Sequence, residues 1–142
     1  MVRLIVGKKG KGKTTEILAK ANESIKKATG SIVYLDKSSK HMYDLHRNIR
    51  LIDVSRFPIA NSEQFVGFIC GIISQDHDLQ EMYLDGFLKC TKLAEDDIEG
   101  INATITELDS VSTAFNIDFY ISVSVDGEIL VPALKEKIVA AL

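Results

Sequence analysis

Apolar residues along the chain fall into short blocks with two different periods. Val2, Leu4, Ile5 and Val6 form a nearly continuous run, broken only by Arg3. That pattern suits a strand covered on both faces. Glycines and lysines fill positions 7–13, and from Thr14 the period lengthens. Ile17, Leu18, Ala21, Ile25 and Ala28 recur at helical spacing until Gly30, a residue type common just past a helix end. Ile32-Val33-Tyr34-Leu35 reads as another buried strand, ending at Asp36. Residues 37–48 are polar and basic and read as loop or short helix. Arg50-Leu51-Ile52-Asp53-Val54 is a shorter strand-like stretch, ended by Phe57-Pro58.

Asn61 and Gln64 have the spacing of a capping box. They open a helix over 61–75 in which Phe65, Val66, Phe68, Ile69, Cys70, Ile72 and Ile73 are apolar almost all round. Such a helix is either deeply buried or turns one side to another subunit, as in a homodimer or with a protein partner. Gly67 and Gly71, four apart, suit close packing in either case. Gln80-Glu81-Met82-Tyr83-Leu84-Asp85 is a further strand ending in an acid. Residues 95–114 predict a long amphipathic helix with a stripe of Ile98, Ile101, Ile105, Leu108, Val111 and Phe115. Residues 117–125 predict a strand, Asp126-Gly127 a turn, and Ile129-Leu130-Val131 a short last strand. Pro132 fits the first turn of a closing helix over 132–141. Alternation of strands and helices predicts one α/β domain over residues 1–142, a mainly parallel sheet of about five strands with helices on both faces.

The net charge of −3 argues against a general nucleic-acid binder, which usually carries a basic excess. The two cysteines, Cys70 and Cys90, are far apart and cannot supply a four-ligand zinc site. They read as free thiols in a reducing compartment. No apolar run approaches the ~20 residues of a membrane span, and the N-terminus lacks the core of a signal peptide. The expectation is a cytoplasmic protein with no membrane association.

One segment carries specific chemistry. Gly7-Lys8-Lys9-Gly10-Lys11-Gly12-Lys13-Thr14 matches the pattern G-x-x-x-x-G-K-[S/T], between a predicted strand and a predicted helix. Glycines let successive backbone N–H groups point inward, and the helix N-terminus adds positive potential, so the segment is built for phosphate. Lys13 is placed to reach β- and γ-phosphates, and the Thr14 hydroxyl to bind Mg²⁺. Lys8, Lys9, Lys11 and Thr15 complete the nucleotide-binding segment. A second metal anchor is expected at a neighbouring strand end, and Asp85 in Met82-Tyr83-Leu84-Asp85 takes that position.

At these residues the chain resembles the P-loop NTPase superfamily, and the order of strands and helices extends the likeness over nearly the whole chain. Within it the chain resembles the RecA-like branch, and more narrowly the small bacterial P-loop proteins labelled as twitching-motility ATPases. The resemblance implies ATP and Mg²⁺ as ligands. Many RecA-like ATPases place a water-positioning Glu directly after the acid of the second motif, where this chain has Gly86, which implies slow hydrolysis. Asp36, just beyond the second strand, is the alternative water-positioning acid that the resemblance suggests, against an ordinary turn-forming Asp. Glu81 and Glu128 are weaker candidates. Ser124, near the end of the 117–125 strand, is the candidate γ-phosphate sensor, with Ser122 beside it. Arg47 and Arg50 are the plausible arginine fingers. The guanine-reading motif of GTPases is incomplete at Thr91-Lys92-Leu93-Ala94, which leaves ATP as the default. Three functions stay open on the sequence: a slow or partner-dependent ATPase, a non-catalytic nucleotide-dependent interaction module, and a small-molecule phosphotransferase.

Overall fold

The computed structural model describes all residues, Met1–Leu142. Six strands, β1 (Val2–Val6), β2 (Ser31–Asp36), β3 (Ile49–Asp53), β4 (Leu79–Leu84), β5 (Asp118–Val123) and β6 (Ile138–Ala141), form one sheet in the order β3-β2-β4-β5-β1-β6. Every pairing is parallel. The helices are α1 (Lys13–Ser24), α2 (Ser62–Ser74), α3 (Phe87–Thr91), α4 (Ile98–Phe115) and α5 (Pro132–Lys135).

The sheet is covered unequally. Alternate residues of the central strands, Leu4, Val33, Leu35, Met82, Leu84, Phe119 and Ile121, pack with Phe65 and Ile69 of α2 and with Ile101, Ile105 and Leu108 of α4. On the opposite face Ile5, Ile32, Tyr34 and Tyr83 pack against Ile17 and Ala21 of α1. Each fully buried aliphatic or aromatic side chain contributes about 1.5–3 kcal/mol relative to exposure. The larger cluster, with 26 buried residues against 8 in the other, therefore dominates the apolar stabilisation.

Local side-chain bonds hold the starts of two helices. Asn61 Oδ1 accepts from Gln64 N at 2.9 Å and caps α2, while Gln64 Oε1 accepts from Ala60 N at 2.7 Å. Asp97 caps α4 through Gly100 N at 2.9 Å. α2 is buried on one side only, at Phe65, Val66, Ile69 and Ile73. Gly67 and Gly71 face open space, so they serve no helix contact within this chain. The stripe of α4 is buried at Ile101, Ile105 and Leu108, but Ile98 and Phe115 at its two ends are exposed.

The C-terminal region departs from the expectation. Residues 127–129 form a single 3₁₀ turn capped by Asp126, not part of a strand over 129–131. The closing helix stops at Lys135, and residues 138–141 become β6, the sixth strand. Ile138-Val139-Ala140-Ala141 is short and β-branched at its start. It finds the free edge of β1, with Leu4 N donating to Lys137 O at 2.8 Å and Leu142 N to Val6 O at 2.9 Å. Ladder bonds to an existing strand outweigh the continuation of a four-residue helix. No helix is long and apolar enough to cross a membrane.

Candidate functional site

The carboxyl ends of the strands gather the polar residues that the packing leaves over. β1 runs into the glycine–lysine segment and α1, on one face of the sheet. β4 runs into Asp85, Gly86 and α3, on the other. Connections that leave for opposite faces open a crevice beyond the strand ends. β5 lies between β1 and β4, so Asp85 must reach across the end of β5 to meet α1.

Asp85 makes that reach and is held by three elements. Its Oδ1 accepts from Thr14 Oγ1 of α1 at 3.3 Å and from Ser122 Oγ of β5 at 2.7 Å. Its Oδ2 accepts from Tyr34 OH of β2 at 2.9 Å. Ser122 Oγ also accepts from Gly86 N at 2.9 Å, which fixes the hydroxyl to donate toward the carboxylate. Asp85 is 4% exposed. Burial and the Asp85 carboxylate beside it push the Tyr34 hydroxyl far above the ordinary tyrosine range, so it remains a donor.

The segment before α1 is shaped by backbone geometry. Gly12 (φ 91°, ψ 18°) is the helix N-cap and lies in the left-handed region, which costs a side-chain-bearing residue about 1–2 kcal/mol. Lys13 opens the helix, is 7% exposed, and donates from Nζ to Lys8 O at 3.0 Å, folding the segment back on itself. Burial lowers the Lys13 pKa below the ordinary lysine value; the Asp85 carboxylate opposes that shift and Lys37 adds to it. A pocket of about 310 Å³ is lined by Lys9, Gly10, Gly12, Lys13, Thr14 and Thr15 on one side and by Lys37, Asp85, Gly86, Ser122 and Ser124 on the other. Lys8 and Lys11 stand outside it, beside Gly7 and the chain end at Leu142.

Asp36 adjoins this pocket. It ends β2, is 2% exposed, and lines a second cleft of about 590 Å³ with Thr14, Thr15, Lys37, His41 and Asp85. Its Oδ1 accepts from Lys37 N at 2.7 Å, while its Oδ2 is buried without a hydrogen-bond partner. Burial raises the Asp36 pKa, and the neighbouring Asp85 charge raises it further; the Lys37 N–H, His41 and the Lys37 charge oppose the rise. A buried carboxylate oxygen with no donor is a costly arrangement that a bound cation, water or donor group would relieve.

The structure thus brings together Lys9, Gly10, Gly12, Lys13, Thr14, Thr15, Asp36, Asp85 and Ser124 around two adjoining cavities. Ser122, beside the expected sensor Ser124, is the serine bonded to Asp85, and Ser124 is free on the pocket wall. Arg47 and Arg50 line a separate hollow that no residue of the 7–15 segment touches. Glu81 accepts from Tyr83 OH at 2.8 Å and from Ser24 Oγ at 2.7 Å, and Glu128 pairs with Lys135 at 3.3 Å. Tyr34, Lys37 and Ser122 are site residues that sequence reasoning missed or undervalued. Tyr34 lies two before Asp36, so strand alternation puts both on the α1 face, a signal available in the sequence. Nothing local points to Lys37.

All acceptors at the centre are oxygens, which suits a hard cation. No group of three or more His, Cys, Asp or Glu side chains is arranged to hold a metal ion by itself. A cation held between Thr14 and Asp85 would draw its other ligands from water and from the oxygens of a bound anion. Comparison with protein-family models and with curated proteins finds no match, which leaves the residues of the site as the guide to what the chain does.

Proposed function

We propose that the chain binds a nucleoside triphosphate, ATP by default, together with Mg²⁺, and hydrolyses it slowly or only with a partner. The observation that carries this reading is the 3.3 Å contact between Thr14 and Asp85, which are 71 positions apart. The two sequence features expected to share one cation meet across the end of β5. The strand–loop–helix context and the left-handed Gly12 support a P-loop NTPase fold of the RecA-like kind.

Backbone N–H groups of residues 7–14 and the start of α1 offer donors to phosphate oxygens. Lys13 leaves Lys8 O and adds a positive charge to the β- and γ-phosphates. The cost of moving it is small, because its present partner is a single backbone carbonyl and its charge is already disfavoured by burial. Mg²⁺ supplies charge neutralisation of the phosphate oxygens. Thr14 and Asp85 would hold it, directly or through its waters, with Ser122 and Tyr34 keeping the Asp85 carboxylate aimed. Ser124, on the wall of the pocket that Lys13 lines, is the residue available to sense a terminal phosphate. Asp36, with its unpartnered Oδ2 and raised pKa, is the acid available to orient water.

Gly86 supports the slow turnover. Its φ of 71° and ψ of 47° lie in the left-handed region, so a Glu at this place, as in many RecA-like ATPases, would be strained. Gly86 equally favours a second reading, a non-catalytic module whose shape a partner reads when nucleotide is bound.

Thermal unfolding with ATP, ADP and GTP, each with and without Mg²⁺, tests the proposal. A ligand at a hundredfold excess over Kd stabilises the native state by about 2.7 kcal/mol. A Mg²⁺-dependent rise, larger for ATP than GTP and lost in Lys13→Ala, is expected. No rise with any triphosphate overturns the nucleotide reading. Phosphate release under the same conditions separates a slow ATPase from the non-catalytic module.

A further inference from the structure

A third cavity opens at the same end of the sheet, on the far side of Lys37. Its volume is about 630 Å³, within the size range of small-molecule sites. The 3₁₀ turn after β3 (Val54–Arg56) and the residues that follow supply one wall. α3 and residues 92–94 supply the other. Val54 and Cys90 are buried at its base, Leu93 is half-buried, and Phe57 is 46% exposed. The Phe57 ring packs at 5.0 Å against Phe68 of α2, which holds it in place.

The polar lining is one-sided in charge. Lys37, Lys89 and Lys92 line the cavity, and no Asp or Glu does. None of these three lysines, nor Lys9 nearby, belongs to an ion pair anywhere in the chain. Lys37 and Lys9 stand close enough to Lys89 that their charges depress its pKa. In a chain with net charge −3, a convergence of lysines over an apolar pocket with no ion-pair partner is a local conflict of the kind found at binding sites.

We propose that this cavity binds a small organic anion with an apolar body, its anionic head against Lys37, Lys89 and Lys92 and its body against Val54, Phe57 and Leu93. The head removes the lysine repulsion, and the body covers the exposed side of Phe57. Because Lys37 lines this cavity and the two clefts at the 7–15 segment, the ligand lies beside whatever anion that segment holds. The inference goes beyond the nucleotide reading and does not require it.

The test is a titration of the full-length protein, followed by amide NMR, with phenyl phosphate and phenylacetate as probes. Inorganic phosphate supplies the charge without the body, and benzyl alcohol the body without the charge. The titrations are repeated on Lys13→Ala, which weakens binding at the 7–15 segment and leaves the cavity intact. At least one probe is expected to shift Val54, Phe57 and Leu93 saturably in both proteins. Its Kd at those residues should be about tenfold below that of benzyl alcohol, which lacks the charge-assisted contact, and about tenfold below that of inorganic phosphate, which lacks the apolar body. The double variant Lys89→Ala/Lys92→Ala should lose at least severalfold in affinity with its unfolding temperature unchanged. Shifts confined to residues 7–15, no saturable shift with either probe, equal binding of a control, or full affinity in the double variant each overturn the proposal. Failure of the nucleotide reading would appear instead in the unfolding experiment, where none of these probes is present.

Discussion

Replacing Ser122 by alanine removes two hydrogen bonds through one atom. Ser122 Oγ donates to Asp85 Oδ1 at 2.7 Å and accepts from Gly86 N at 2.9 Å, and the residue is 1% exposed. A hydrogen bond to a charged group contributes about 1.5–3 kcal/mol, and an orphaned buried donor costs about 1–3 kcal/mol. Asp85 keeps Thr14 and Tyr34 as donors, so the low end of the first range applies. Gly86 is half-buried, so water recovers part of the second. The expected loss is about 2–3 kcal/mol, or roughly 6–12 °C in unfolding temperature for a domain of this size. Urea unfolding of wild type, Ser122→Ala, Asp85→Asn and the double variant gives the coupling energy directly. About 1–2 kcal/mol is expected for the pair, since the two side chains touch. A Ser122→Ala loss under 0.5 kcal/mol, or a coupling near zero, would refute the claim that Ser122 anchors Asp85.

Three further outcomes follow from the same geometry. Asp36→Asn should stabilise the protein at neutral pH, because it removes a buried negative charge that the neighbouring Asp85 carboxylate repels. The stability that protonated Asp36 contributes is full below the ordinary carboxylate value of 3.8 and is lost as pH rises through its raised folded pKa. The gap between wild type and variant should therefore widen with pH across that window, and a pH-independent gap counts against the burial argument. Gly86→Ala should cost about 1–2 kcal/mol from backbone alone, because the added Cβ meets only Lys37 Cδ at 3.5 Å; Gly86→Asn should cost less, as chemical denaturation can read. Asn61→Ala should cost about 1 kcal/mol through loss of the α2 cap, with nucleotide-dependent stabilisation unchanged, and a change in the latter would link α2 to the site.

Much of this protein is decided by short-range rules that act within a few residues. Short, nearly continuous apolar runs place five of the six strands, and recurrence at helical spacing the three long helices, because each reports how its own element is buried. The 7–14 segment is legible for the same reason: glycine at position 12 and the lysine and threonine after it have their conformation and chemistry set locally, at the start of α1. The caps at Asn61 and Asp97 are equally local, although the sequence pattern began the second of these helices at 95.

The remainder depends on neighbours distant in sequence. β6 exists because β1 has a free edge for it, and a run of four residues carries no periodicity that separates strand from helix. The choice of Ser122 over Ser124 as the group bonded to Asp85 depends on the register of β5 against β4, which pairs Leu84 with Ile121. That register is set by ladder bonds and packing across the sheet. Lys37 becomes the wall between three cavities only after β2, β4 and the turn beyond β3 are laid side by side. The residue types of the site are written along the chain. Their distances, the unpartnered oxygen of Asp36 and the gathering of lysines over an apolar pocket come from the strand order, which no stretch of sequence short enough to show a pattern contains.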